Sequence, residues 1–134
     1  MQILMQNISF KESDGKLADM FGEKAQKIAQ KLEEKTIKVS KDKFKEDIST
    51  TQYRKFYEKV LELSSKATQK EFDTKTKPFV KMLNSKVAYS KTRKLCGDNF
   101  VTLMNESIKK VNSYEELQNF KYFLESIIGF MPKK

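Results

Sequence analysis

The sequence predicts an all-α fold: one domain of residues 1–134, packed as a bundle of about five helices. Only 4 Gly and 2 Pro occur, which favours long helices over a sheet with many turns. Apolar residues recur at spacings of three and four, the period of a helix with one buried face. Ser49 precedes Gln52, and Ser113 precedes Glu116, by three positions; this capping-box spacing marks two helix starts.

The first 48 residues contain one well-patterned segment. Residues 1–15 are weakly patterned, and we predict a weakly ordered arm that docks on the body as a short strand or helix. From Lys16 to Glu34 the apolar residues mark one helical face, and Gly22 weakens this helix without ending it. Residues 35–48 mix apolar residues with charges, which predicts a loop with no more than a short helical turn.

Four helices are predicted in the rest of the chain. The first follows Ser49, and the second begins at Pro78 and ends near Cys96, where Gly97 supplies a C-terminal stop. Asp98 is expected to cap the third, and Ser113 the fourth. The buried stripe of the second is predicted to be Phe79, Leu83 and Val87.

The last predicted helix, which Pro132 closes, is apolar on more than one side. Phe123 and Phe130 extend its apolar surface beyond a single stripe. This pattern is typical of the central helix of a bundle or of a helix with an exposed contact face.

Composition excludes several classes of protein. The chain has no His, so hydrolases and ribonucleases that depend on His, and zinc sites built on His, are excluded. A single cysteine, Cys96, allows no internal disulfide, which fits a reducing compartment; we interpret Cys96 as a small buried residue. The carboxylates show no catalytic pairing. We therefore predict no enzyme activity, no cofactor and no metal.

Hydropathy predicts a soluble, cytoplasmic protein without a membrane partner. The first ten residues lack the basic start and long apolar core of a signal peptide. No apolar run approaches the roughly 18 residues that a membrane span needs.

Positive charge is concentrated in residues 54–94. Twelve Lys and Arg against four Asp and Glu give this segment +8 of the total net charge of +9. A charge confined to one segment favours a polyanionic partner.

Three motifs lie in and after this segment. Residues 52–57 read Gln-x-Arg-x-Phe-Tyr at a helix start, residues 86–93 read Lys-x-Ala-Tyr-x-x-x-Arg, and residues 120–130 form a closing amphipathic helix. In order and spacing they resemble the small subunit of the type III-A CRISPR–Cas effector, the Csm complex. The resemblance extends from Ser49 to the C-terminus, whereas residues 1–48 carry no motif of that family.

The resemblance implies a non-catalytic helical subunit of a ribonucleoprotein that serves antiviral defence. Copies of such a subunit stack along the complex and line the groove where guide RNA pairs with target RNA. RNA cleavage and second-messenger synthesis belong to other subunits. The implied partners are guide RNA, target RNA, the other subunits of the effector and further copies of the same chain.

Basic side chains match phosphates and an aromatic ring can stack on a base, so eight residues are candidate RNA contacts. These are Arg54, Lys55, Lys59, Lys86, Tyr89, Lys91, Arg93 and Lys94. Lys66 and Lys70 continue the helix face of Lys55 and Lys59. Lys86 and Arg93 lie two helical turns apart, about 10 Å along the axis, beside the buried face of their helix.

Each candidate has a structural alternative. The lysine face fits an ordinary solvated helix surface; Arg93 fits an intramolecular ion pair or cap, and Tyr89 fits core or rim packing. The alternative functions are a small helical DNA-binding regulator and a helical protein-interaction scaffold. A DNA-reading helix would present Arg, Asn and Gln in a short helix-turn-helix, whereas this chain carries mostly Lys on long helices.

Overall fold

The structure, a computed structural model, describes residues 1–132 and is predominantly helical, which confirms the predicted class. A 3₁₀ turn at Glu12–Asp14 and a π-helical turn at Phe72–Thr76 connect longer elements. The helices and strands are α1 Gln2–Met5, α2 Leu17–Phe21, α3 Glu23–Glu33, β1 Lys35–Ser40, β2 Lys43–Glu46, α4 Thr50–Lys66, α5 Lys77–Thr92, α6 Asp98–Lys109 and α7 Tyr114–Gly129.

Both predicted capping boxes begin helices. The Ser49 hydroxyl accepts a hydrogen bond from the Gln52 amide at 3.1 Å, at the start of α4. The Ser113 hydroxyl accepts one from the Glu116 amide at 3.2 Å, at the start of α7. In each helix the side chain satisfies an amide that has no partner within the helix.

Helix α7 lies at the centre of the bundle. Its Phe120 and Phe123 are fully buried, and the Phe10 ring packs on them at centroid distances of 5.5 and 5.7 Å. The second apolar side of α7 is therefore covered as far as Phe123. Tyr122 and Phe130 remain about half exposed.

The N-terminal arm is anchored to the body, where the weak sequence pattern predicted little order. Met5, Ile8 and Phe10 are buried. The Asn119 side-chain amide donates to the Phe10 carbonyl at 2.8 Å, and the Lys24 ammonium donates to the Leu4 carbonyl at 2.6 Å. The arm is ordered by contacts with residues that are distant in the sequence. No local sequence pattern indicates such contacts.

Residues 35–48 contain a β-hairpin where we predicted a loop. Strands β1 and β2 pair antiparallel, with Ile37 opposite Lys45 and Lys38 opposite Phe44. Ile37 is buried, whereas Val39 and Phe44 are about half exposed. The apolar–lysine alternation of β1 is the two-residue period of a strand, and the many charges around it obscured that period.

The predicted helix over Lys16–Glu34 is in fact two helices, α2 and α3. Gly22 separates them, with φ −109° and ψ −102°, outside the helical region. The break lets both α2 and α3 pack on α7. The expectation that Gly22 weakens the helix without ending it was wrong. At a residue with low helix propensity, tertiary packing decides whether the helix continues.

Helix α5 buries a different stripe from the predicted one. Phe79 is 53% exposed, and Val80 takes its place in the core beside Leu83 and Val87. The helix also ends earlier than predicted, at Thr92, and Lys94 follows it in a left-handed conformation with φ +59°.

A buried carboxylate joins the hairpin to α6. Asp47 is fully buried, and its side chain accepts hydrogen bonds from the Phe100 amide at 2.8 Å and the Asn99 amide at 3.2 Å. The Thr36 hydroxyl of β1 donates to the same carboxylate at 2.8 Å. Asp47 therefore caps α6 from outside the helix, where its negative charge also favours the helix N-terminus.

The position of the Asp47 carboxylate explains why residue 97 is a glycine and why Asp98 does not cap α6. A Cβ on Gly97 would overlap the Asp47 carboxylate and the Thr36 hydroxyl, so the position requires a glycine. Asp98, which we expected to cap α6, is its first residue and forms an ion pair with Lys91 at 2.5 Å. The residue that caps α6 is therefore Asp47, about 50 positions earlier in the chain than the predicted cap, Asp98.

Candidate nucleic-acid interface

A groove of about 480 Å³ lies between α4 and α5, and we call it the α4–α5 groove. Its floor contains buried Phe56 and Leu83. Its walls carry four of the predicted site residues, two from each helix: Lys55, Lys59, Lys86 and Tyr89. The lysine face of α4 and the basic stripe of α5 were predicted separately, and the packing of the helices brings them together.

The charge balance inside the α4–α5 groove is positive. The side chains of Lys55 and Lys86 form no hydrogen bond or ion pair with any described residue. Lys59 lies 3.8 Å from a carboxylate oxygen of Glu62, which also pairs with Lys66 at 3.2 Å. The hydrogen bond from Lys66, and then the charges of Lys59 and Lys86, lower the pKa of Glu62. Several cations therefore share one solvent-exposed acid.

Arg93 and Tyr89 form a pair at the edge of the groove. The Arg93 guanidinium donates to the Tyr89 hydroxyl at 2.8 Å, and its carbon lies 5.6 Å from the ring centroid. Tyr89 is 61% exposed, so it is not a core residue. Arg93 makes no ion pair with any residue from 1 to 132, and its backbone is the C-cap of α5. Both side chains face solvent, where a ligand can reach them.

Three other predicted residues lie outside the α4–α5 groove. Lys91 is held by Asp98, whose hydrogen bond raises the pKa of the lysine. Lys91 and Lys94 line a separate cleft of about 320 Å³ beside the hairpin. Arg54 is exposed on α4 close to Tyr57, where its charge opposes the rise in the pKa of Tyr57 that burial and Glu125 cause.

Tyr57 belongs to the interface between α4 and α7. Its hydroxyl donates to the Glu125 carboxylate at 2.8 Å. Burial, followed by this hydrogen bond, raises the pKa of Tyr57 to about 12. The phenol therefore stays protonated at neutral pH and acts as a structural hydrogen-bond donor.

Cys96 is buried, as predicted from its sequence context. Burial, followed by the charge of Asp47, raises the pKa of its thiol to about 11. Because the thiolate is the reactive form, this thiol is unreactive near neutral pH.

Within residues 1–132, no three metal-binding side chains of the His, Cys, Asp or Glu type cluster together. None of the described helices is long and apolar enough to span a bilayer.

Sequence reasoning missed the hairpin's contribution to this basic surface. Lys38 lines the cleft that contains Lys91 and Lys94, and Lys45 lines a smaller cleft with Gln52 of the α4–α5 groove. The signal was present in the alternation of apolar residues and lysines, which is typical of a strand.

Comparison with protein families gives a match. Searches of curated proteins and of solved structures return none. A sequence profile described as Csm2 Type III-A matches residues 16–131, a span that contains both walls of the groove, the hairpin and Asp47. The chain therefore belongs to the Csm2 Type III-A family and is a small subunit of the type III-A CRISPR effector, the Csm complex.

Proposed function

We propose that this subunit is a non-catalytic, cytoplasmic RNA-backbone-binding protein of antiviral defence. In this proposal it lines the groove of the effector in which guide RNA pairs with target RNA. The observation that carries the proposal is the α4–α5 groove, where Lys55, Lys59 and Lys86 meet over an apolar floor. Arg93 adds a fourth cation one helical turn from Tyr89.

The chemistry of these side chains favours phosphate over base edges. A lysine ammonium is a mobile point charge that attracts phosphate oxygens without discriminating between bases. The apolar stems of the lysines can lie against the groove floor while their charged ends reach the ligand. Tyr89 offers its exposed ring to a ribose or a base.

Binding is expected to be electrostatic and insensitive to RNA sequence. Titrations with unrelated single-stranded RNAs of equal length should give similar affinities, each falling steeply as salt rises, because every phosphate contact releases counterions. Duplex DNA of matched length is the control for the alternative of a DNA-binding regulator, and it should bind more weakly. A tenfold preference for one RNA sequence, or affinity that does not change with salt, would contradict the proposal.

Self-association is a second proposal, and exposed apolar side chains support it. Tyr122 on α7 is 45% exposed and Phe130, directly after α7, is 44% exposed, and such surfaces usually mark contact sites. Sedimentation velocity at rising concentration should show dimers or larger species. Phe130→Ser should shift the equilibrium towards monomer, whereas Ile3→Ser, at a side chain that is 79% exposed on α1, should not. A strict monomer at the highest concentration would overturn the proposal.

A further inference from the structure

The β-hairpin presents an aromatic ring among lysines. Residues 35–46 contain five Lys and two acidic residues, which gives the hairpin its own positive charge. Phe44 on β2 is 47% exposed, although burial of a phenylalanine is strongly favourable. An aromatic side chain left half in water next to several cations suits a ligand that has both flat rings and negative charge.

The register of the hairpin places a cation beside that ring. Phe44 lies directly opposite Lys38, and paired residues of antiparallel strands project from the same face. Lys43 and Lys45, the neighbours of Phe44 in sequence, project from the opposite face of β2, so Lys38 is the lysine that shares the face of the ring. The side chains of Lys38 and Lys43 make no hydrogen bond or ion pair with the described residues, so their charges are available to a ligand.

The hairpin surface is continuous with the α4–α5 groove. Lys45 and Gln52 line a cleft of about 130 Å³, and Gln52 also lines the groove itself. On the other side of the hairpin, Lys38 shares the cleft of about 320 Å³ with Lys94 at the end of α5. A strand of nucleic acid that leaves the groove past Gln52 therefore meets the lysines of the hairpin.

We propose that the hairpin is a second contact for single-stranded RNA, in which the Phe44 ring stacks on a base and Lys38, on the same face, contacts a flanking phosphate. Base–aromatic stacking combined with a basic track is how proteins hold single strands without reading their sequence. A second copy of the chain fits this face less well, because two hairpins of the same charge repel each other. The inference rests on the proposed function, since it takes RNA as the ligand, but it assigns a different surface.

The absence of tryptophan from the sequence allows a direct test. Phe44→Trp places a single reporter at the proposed stacking site, and a stacked base is expected to quench its emission. Ile3→Trp is the control, because Ile3 is 79% exposed on α1, outside the hairpin and the α4–α5 groove. Single-stranded RNA should quench the emission of the tryptophan at position 44 and leave the emission of the tryptophan at position 3 unchanged. Inorganic polyphosphate, which has charge but no bases, should quench neither.

Affinity gives the second readout. Phe44→Ala should weaken binding of single-stranded RNA about fivefold or more, and Phe44→Tyr should restore it, because stacking depends on the ring. Circular dichroism of each variant confirms that it is folded. If RNA binds without quenching position 44, or if Phe44→Ala binds normally, the hairpin proposal fails while the groove proposal stands. If the emission of position 44 shifts with protein concentration in the absence of RNA, the face contacts another copy, which also overturns it.

Discussion

Replacing Asp47 with Ala should lower the free energy of unfolding by about 3–4 kcal/mol, the largest stability effect expected of a single substitution here. The carboxylate satisfies the Asn99 and Phe100 amides at the start of α6 and the Thr36 hydroxyl of β1. Without it, two amides at a buried helix start lose their acceptor, and the hairpin loses a link to the bundle. Thermal unfolding should move down by roughly 10–15 °C.

Two further variants make the Asp47 result specific. Asp47→Asn keeps the size and one acceptor oxygen, so it should cost less than Ala. Asp42→Ala removes the same charge from the exposed hairpin turn and should change stability by less than about 0.5 kcal/mol. Denaturant unfolding gives the three free energies. An Asp47→Ala protein within about 1 kcal/mol of the wild type would show that the carboxylate does not hold α6 and the hairpin together.

Replacing both Lys86 and Arg93 with Ala should weaken RNA binding by roughly 30-fold at moderate salt, if each side chain holds one phosphate. Both residues are exposed, and the described residues offer neither of them an ion pair. Arg93 loses a surface hydrogen bond to Tyr89, which contributes little to stability. Helicity and melting temperature should therefore stay close to those of the wild type. Fluorescence anisotropy with labelled RNA measures the affinity.

The control for this pair removes the same charge elsewhere. Lys27 on α3 and Lys109 on α6 are exposed and lie outside the α4–α5 groove, so their double Ala variant should bind RNA nearly normally. A Lys86/Arg93 variant that melts far lower and binds RNA normally per folded molecule would assign those side chains a structural role. The α4 lysine face of Lys55, Lys59 and Lys66 would then be the better candidate for the contact.

Local signals in the sequence predicted α4 and α7 well. Ser49 and Ser113 lie three residues from the amides that they cap, so the motif and the contact are the same few residues. The cap of α6 was mispredicted because its true acceptor, Asp47, is 52 residues from Asn99. The sequence pattern predicted the nearest acid, Asp98, as the cap. No residue near α6 in the sequence indicates that the hairpin places the carboxylate of Asp47 there.

The candidate site was predictable in its parts but not in its assembly. Helical periodicity placed Lys55 and Lys59 on one face of α4, and Lys86 with Tyr89 on one stripe of α5. Whether two such stripes face each other depends on how the helices pack, which the sequence period does not determine. In the packed structure Arg54 lies on the side of α4 near Tyr57, outside the α4–α5 groove. The ion pair between Lys91 and Asp98 could not be predicted from helix propensity.

Binding of RNA phosphates in the α4–α5 groove is tested most directly by the salt dependence of affinity. The logarithm of the binding constant is measured against the logarithm of salt concentration for the wild type, the Lys86/Arg93 variant and the Lys27/Lys109 control. Loss of two phosphate contacts should make the slope shallower by about two units in the Lys86/Arg93 variant alone. An unchanged slope in that variant, or an equal change in the control, would contradict a role for the groove in holding the RNA backbone.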